Sequence, residues 1–427
     1  EENFRPLIPI ALILIPLFLG GFYGIVTLAC SFLSLNKKIS SILIFSFFFS
    51  LIEFVRSFIL GGFPWNLVAF AWTDYIYFLQ ILPFIGTYSF NLLSITFFLI
   101  PTIVLFNYNK ITKLSFLAFA SVILIINFLY GSLIIKNNEK ISKTNLNFLI
   151  KIISPNIDIA RYFENESPEK IILELVNLSN PNDLEKTIFI FPEGVLPNVY
   201  LEDLKNYSYI FEDNYSEQHK IIMGINSTEE MKVFNSMVVV DRNLNILAKY
   251  NKNKLVPFGE FLPFENFFNK FGLKKITQGY GSFSKDNKRE IINLNNINFV
   301  PLICYEIIYS GKINKNTNNF DLILNISEDG WFGNSVGPYQ HFSHSIFRSI
   351  EEGKNLIRSA NNGISAFINS KGQIINQIKS TESGVIEVKS FTQKKKTLFS
   401  SFGNKIFFYF LFFYIILFFF FQKRENK

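Results

Sequence analysis

Four long stretches of the chain show no polar face at a helical period. They are Leu7–Leu35, Ile39–Phe63 with Glu53 and Arg56 as its charged exceptions, a segment within Ile76–Tyr108, and Leu114–Ile135. A bilayer core of about 30 Å takes roughly 20 helical residues to cross, so each is long enough to span. A fifth stretch, 406–421, is shorter, but Lys405 and Lys423 flank it and can extend it by snorkelling. Helices buried in a soluble core would still carry polar faces toward water, and these do not. The pattern predicts five membrane spans.

From about residue 146 the period shortens. Short β-rich runs appear at 147–154, 187–191, 221–225, 237–240, 299–304 and 321–327. Helix-like stretches lie between several of them, among them SPEKIILELVNLSN (167–180) and HFSHSIFRSIEEGKNLIRSA (341–360), the latter with Phe342, Ile346, Ile350 and Leu356 in near-helical register. Strands alternating with helices predict a layered α/β domain. No internal repeat is visible, and low complexity is confined to polar loops such as SGKINKNTNN (310–319). The expected organisation is a membrane domain over 1–135, an α/β domain over 136–404, and a last span with a short tail over 405–427.

Composition agrees with a membrane protein. Apolar residues make up 49% and charged residues only 18% of 427, with 52 Phe. The net charge of +7 comes from scattered lysines that form no basic stripe, which argues against a nucleic-acid partner. The first stretch lacks a basic leader and a small-residue cleavage site, so it reads as a span and not a signal peptide. The chain begins Glu-Glu without Met, and upstream sequence is expected. Lys37 and Lys38 in one short loop, and Lys110 and Lys113 in another, mark the cytoplasmic side; the loop 61–75 between them has Asp74 and no basic residue. Counting spans puts the α/β domain on the opposite side. Lys394, Lys395, Lys396 and Lys405 before the last span oppose this locally, but long domains cross largely regardless of charge.

Three strand-like runs end in chemistry. TIFIF leads into Pro192-Glu193-Gly194, FVPLI into Cys304-Tyr305-Glu306, and a short run ending at Tyr250 leads into Lys252, with Glu260 eight residues on. Sites in α/β sheets form beyond the carboxyl ends of strands. A carboxylate that deprotonates a thiol, a thiolate that attacks an acyl carbonyl, and an ammonium that steadies the oxyanion are complementary parts. Each also has a plainer reading: a small core Cys, a turn Glu, one lysine among several. Only two cysteines are present, and the other, Cys30, lies in the first span, so no structural disulfide is expected. The histidines His219, His341 and His344 supply neither a Cys–His pair nor a completed metal set; the last two read as helix-cap or surface residues. No metal or cofactor is called for. Glu53 and Arg56, three apart on one face, read either as a self-paired ion pair with Arg56 snorkelling or as a brace for the loop GGFPWN (61–66).

Taken together, Pro192-Glu193, Tyr250-Asn251-Lys252, Leu255-Val256-Pro257-Phe258-Gly259-Glu260, Cys304-Tyr305-Glu306 and Trp331-Phe332-Gly333 resemble the apolipoprotein N-acyltransferase family. Gly337-Pro338, Gln340-His341, Arg358, Asn361 and Gly363 continue the likeness, as do Glu53, Arg56-Ser57 and Gly62-Phe63-Pro64-Trp65 in the membrane part. The resemblance covers nearly the whole chain. It implies a nitrilase-like αββα sandwich facing the periplasm on a bacterial inner-membrane helical domain. It also implies transfer of a fatty acyl chain from a phospholipid to the α-amino group of diacylglyceryl-cysteine in apolipoproteins. By the same resemblance Glu193 is the general base, Lys252 the oxyanion stabiliser and Cys304 the nucleophile that carries a thioester. Glu260 is a second active-site carboxylate, Tyr305 and Glu306 shape the nucleophile's pocket, and Trp331 belongs to a loop near the lipid entrance.

The family usually has eight spans, so about three helices are expected upstream. SPNIDIARYF replaces a Gln-Asn-Ile segment followed by Trp, with Pro155 and Tyr162 standing in. Glu328-Asp329-Gly330 replaces Asn-Asp-Ala, and Lys254 stands where His is common. Two other readings use the same residues differently: a membrane-anchored amidase or nitrilase acting on a small amide, and a non-catalytic membrane scaffold.

Overall fold

The computed structural model describes all residues except 1–7, 34, 36, 138–141, 165, 264–281, 314–319, 394–395 and 426–427. Most of the polar loop 310–319, and Lys394 and Lys395, thus lie outside the described residues. The chain divides into two compact units: Glu1–Asn138 with Ser310–Lys312 and Lys396–Lys427, and Glu139–Tyr309 with Ile313–Lys395.

In the first unit the described residues contain five helices long and apolar enough to cross a membrane. They run Leu12–Phe32 within the helix Ile8–Phe32, Ile39–Arg56, Phe78–Leu105, Lys110–Lys136 and Lys405–Glu425. The second ends earlier than its hydrophobicity suggests, because Leu60, Gly61 and Gly62 take positive φ and turn the chain. The Glu425 carboxylate caps the start of Ile39–Arg56, accepting from the Ile39 amide at 2.9 Å and the Tyr108 hydroxyl at 2.5 Å. A helix start leaves four amides unsatisfied, and an anion there also meets the positive end of the dipole.

Glu53 and Arg56 are both buried, so Arg56 does not snorkel. Arg56 Nη2 lies 3.8 Å from Glu53 Oε1, and Arg56 Nη1 donates to the Tyr23 hydroxyl at 2.8 Å. Asn91 donates to Glu53 Oε2 at 2.5 Å and accepts from the Ala69 amide at 2.9 Å. The loop amide of Phe63 donates to the backbone carbonyl of Arg56 at 3.1 Å.

The described residues of the second unit hold twelve strands: β1 Ser142–Ser154, β2 Thr187–Ile190, β3 His219–Glu229, β4 Lys232–Val240, β5 Ile246–Asn251, β6 Ile292–Leu294, β7 Ile297–Ile303, β8 Leu322–Glu328, β9 Asn355–Asn361, β10 Ser365–Ile368, β11 Ile374–Ile378 and β12 Gly384–Gln393. They form two six-stranded sheets, ordered β12-β1-β2-β3-β4-β5 and β11-β10-β9-β8-β7-β6. In each sheet two parallel pairings, β1-β2-β3 in one and β7-β8-β9 in the other, are flanked by antiparallel ones. The sheets therefore share a strand plan that the residues do not display as a sequence repeat.

Alternation along the strands builds the layers. Ile188 and Ile190 of β2 join Ile150, Ile152, Ile222, Phe299, Leu324 and Ile326 in a core shared by the two sheets. Their neighbours Phe189 and Phe191 face the other way, onto Ile171 and Leu175 of the helix Pro168–Ser179. The helix Gly337–Glu352 packs against β9 of the second sheet. The result is the expected αββα sandwich. The stretch 341–360 is not one helix, however. Gly353 takes φ 64° as a left-handed cap, and the chain resumes as β9, which puts Leu356 in the second sheet.

Candidate active site

Glu193 follows β2, Lys252 follows β5 two strands beyond β3 in the same sheet, and Cys304 follows β7 of the other sheet, and their side chains gather in one buried cluster. Glu193 follows β2 after Phe191 and Pro192, with the Gly224 amide donating to Pro192 O at 3.2 Å. A Cβ at Gly224 would stand 2.6 Å from Glu193 Cα, so glycine is what lets β3 approach this closely. Lys252 leaves β5 with its amide on Asn235 O at 2.9 Å. Cys304 ends β7 at φ 48° and opens the turn Cys304–Ile308, a left-handed conformation unusual for a side-chain-bearing residue.

Lys252 is only 1% exposed and is held by two carboxylates. Its Nζ donates to Glu193 Oε1 at 3.1 Å and to Glu260 Oε1 at 2.8 Å. Asn235 Nδ2 on β4 donates to the same two oxygens, at 2.7 and 2.8 Å. Glu193 Oε2 accepts from the Glu328 amide at 2.9 Å, and Glu260 Oε2 from the Val256 amide at 2.9 Å. Burial alone pushes the Lys252 ammonium toward neutrality, but Glu193, Glu260 and Cys304 together raise its pKa well above the ordinary lysine value. The Cys304 thiol is raised well above its usual range by burial and by the Glu193 carboxylate, with Lys252 and a hydrogen bond with Ser327 pulling the other way. The resting site is thus a thiol beside a carboxylate–ammonium–carboxylate cluster.

Glu306 does more than line a pocket. Its carboxylate accepts from the Asn253 and Lys254 amides at 3.0 and 3.2 Å, just past Lys252, and from the Ile303 amide at 2.9 Å, just before Cys304. The Tyr250 hydroxyl donates to it at 2.7 Å, and Arg289 pairs with it at 3.0 Å. One buried carboxylate thereby ties the ends of β5 and β7. Tyr305 is buried beside it, its ring 5.6 Å from Tyr309. Trp331 is 44% exposed, lies 4.8 Å from the Tyr162 ring, and follows β8 at the rim.

Several contributors carried no signal of their own in the sequence. Asn235 sits in an ordinary strand. His341 and His344, expected at a cap or on the surface, are fully buried because their helix is covered on its polar side as well, with Ser345, Arg348 and Ser349 inaccessible too. His341 Nε2 donates to the Cys304 carbonyl at 3.3 Å, and Nδ1 lies 2.9 Å from Asp329 Oδ1. Asp329 also accepts from Ser327 at 2.7 Å and from Arg358 at 2.7 Å. A buried polar chain thus lies behind Cys304.

The carbon-nitrogen hydrolase family model matches residues 208–390, within this two-sheet sandwich. The apolipoprotein N-acyltransferase N-terminal domain model matches residues 2–100. The apolipoprotein N-acyltransferase of Rhizobium leguminosarum bv. trifolii is 31% identical over 404 residues, 91% of this chain and 74% of that protein. The one from Rickettsia prowazekii is 32% identical over 414 residues, 93% of this chain and 79% of that protein. Among solved structures, an amidase from Nesterenkonia sp. AN1 is 14% identical with a TM-score of 0.40, covering 57% of this chain and 89% of that one. The chain belongs to the apolipoprotein N-acyltransferase family. It is a multi-pass membrane acyltransferase of the carbon-nitrogen hydrolase superfamily, of the kind that N-acylates lipoproteins.

Proposed function

We propose that this protein moves a fatty acyl chain from a phospholipid to the α-amino group of diacylglyceryl-cysteine in apolipoproteins, through a thioester on Cys304. The observation that carries the reading is the contact of Lys252 with Glu193 and Glu260 beside the Cys304 thiol. As the sulfur attacks the ester carbonyl its proton passes to Glu193, and the Lys252 ammonium stabilises the oxyanion. The carbon–oxygen bond breaks, Glu193 returns the proton to the departing lysophospholipid oxygen, and the acyl group stays on sulfur. The lipoprotein amine then attacks the thioester, Glu193 takes its proton, and the thiolate leaves and is reprotonated. Glu260 holds Lys252 and takes part in orienting the amine. Tyr305 and Glu306 support the nucleophile, and Trp331 sits where an acyl chain enters.

We place the protein in the bacterial inner membrane, with the catalytic domain (136–404) periplasmic between a membrane domain (1–135) and a last span with a cytoplasmic tail (405–427). The lysine-bearing loops 36–38 and 107–113 support that orientation. A membrane anchor suits a reaction in which both substrates are lipids.

The test is mass spectrometry of the detergent-purified protein after incubation with phospholipid. A fatty-acyl mass on the Cys304 peptide, lost in neutral hydroxylamine and missing from Cys304→Ala, is the expected result. Ammonia release from small amides with no acyl adduct would favour an amidase. Wild-type complementation by Cys304→Ala would overturn the enzymatic mechanism altogether.

A further inference from the structure

The general base assigned above needs one free lone pair aimed at the thiol. Its carboxylate must therefore neither rotate nor drift. Glu193 Oε1 is occupied by Asn235 and Lys252. Among the described residues a single donor, the Glu328 amide, holds Oε2, and so fixes the rotation of the group. What fixes that amide is a buried ion pair. The Glu328 carboxylate meets Arg161 Nη2 in a very short contact, and both side chains are essentially inaccessible.

The same guanidinium nitrogen donates to Gly194 O, the carbonyl next after Glu193, at 3.0 Å. Arg161 Nη1 donates to Ile157 O at 3.2 Å and Asp158 O at 2.8 Å. Glu328 Oε1 takes the Gly330 amide at 2.8 Å, and Oε2 takes Asn361 Nδ2 at 2.9 Å. Asn361 returns to Ile157 through two bonds of 2.8 Å. The ring is closed on both flanks of Glu193: one arm on the backbone that follows it, the other on the residue whose amide holds Oε2.

We propose that Arg161 and Glu328 are positioning residues for the reaction, a charged brace that sets the Glu193 carboxylate against Cys304 without touching the substrate. The proposal rests on the reading of Glu193 as base. A purely structural pair would be replaceable by neutral residues at no cost in rate, because removing both partners of a buried ion pair is often neutral for stability. A brace is not replaceable in that way, since small misplacements of a reacting group carry large rate penalties.

The experiment is single-turnover acylation of Cys304 by phospholipid in detergent, followed by mass, in full-length Arg161→Gln/Glu328→Gln, Arg161→Lys and Glu193→Gln. Folding is checked by thermal midpoint and size exclusion. The double variant removes both charges of the pair, so neither is left buried without its partner. Arg161→Lys keeps the ion pair but loses the fork that reaches Gly194, Ile157 and Asp158. In both the acylation rate constant is expected to fall about tenfold at saturating lipid, with the half-saturating lipid concentration unchanged. Wild-type rate in either folded variant, or a loss carried by the half-saturating concentration alone, overturns the brace. Wild-type rate in Glu193→Gln would instead overturn the base assignment beneath it, a separate result.

Discussion

Asn235 Nδ2 stands 2.7 Å from Glu193 Oε1 and 2.8 Å from Glu260 Oε1, so one neutral amide bridges the two carboxylates that share Lys252. It supplies the second donor that two acidic groups around one ammonium require. Asn235→Leu removes both bonds while keeping similar volume. A hydrogen bond to a charged group is worth about 1.5–3 kcal/mol, which corresponds to roughly ten- to a hundredfold in rate. Time-resolved mass spectrometry of Cys304 acylation should show that loss.

Lys252 separates stability from chemistry. Removing it leaves Glu193 and Glu260 buried without their cation, and breaking a buried pair in this way costs about 3–5 kcal/mol. Lys252→Met should lower the thermal midpoint and abolish thioester formation. Lys252→Met/Glu260→Gln should recover most of the midpoint and none of the activity. Recovery of activity in the double variant would remove Lys252 from the oxyanion role.

The Cys304 thiol gives a pH test with opposite signs in two assays. Burial and the Glu193 carboxylate disfavour its thiolate, so in the absence of lipid its alkylation by iodoacetamide should rise only at pH well above the ordinary thiol range. In Glu193→Gln one of those two obstacles is gone. Alkylation at a fixed alkaline pH should then become faster, while acylation by phospholipid becomes slower because the proton has no acceptor. A parallel change in both assays would contradict the assigned role.

Glu306 should behave as a fastener between strand ends. Glu306→Gln keeps the shape but replaces an acceptor of three amides, one hydroxyl and Arg289 by a neutral amide. Arg289, only slightly exposed, is left without its anion, so a loss of about 3–5 kcal/mol is expected. The midpoint should drop, and the acylation rate should drop with it. Loss of activity at an unchanged midpoint would instead indicate direct contact with substrate.

Residues near one another in the chain announced a good part of this protein. The five spans follow from the length and uniform hydrophobicity of their segments, a local property of helices in lipid. The strand ends at Glu193, Lys252 and Cys304 follow from two-residue alternation that stops at polar residues. The family resemblance rested on short blocks of neighbouring residues such as LVPFGE and Cys304-Tyr305-Glu306.

What the chain order did not reveal lies at long separation. That Gly353 ends a helix inside a smoothly periodic stretch depended on its left-handed φ and on a place for β9 in the second sheet. Asn235, His341 and the Arg161–Glu328 pair are ordinary polar residues in sequence. They become meaningful only when two sheets stack and bring residues such as Arg161 and Glu328, 167 positions apart, within hydrogen-bonding reach. Hydrophobic period is written residue by residue, because each side chain meets water or lipid on its own. The direction of a buried hydrogen bond is not, because it depends on which distant group the packing leaves opposite it. Sequence therefore determined the layers and the spans and marked the candidate reacting groups; the tertiary structure alone decided what holds those groups in place.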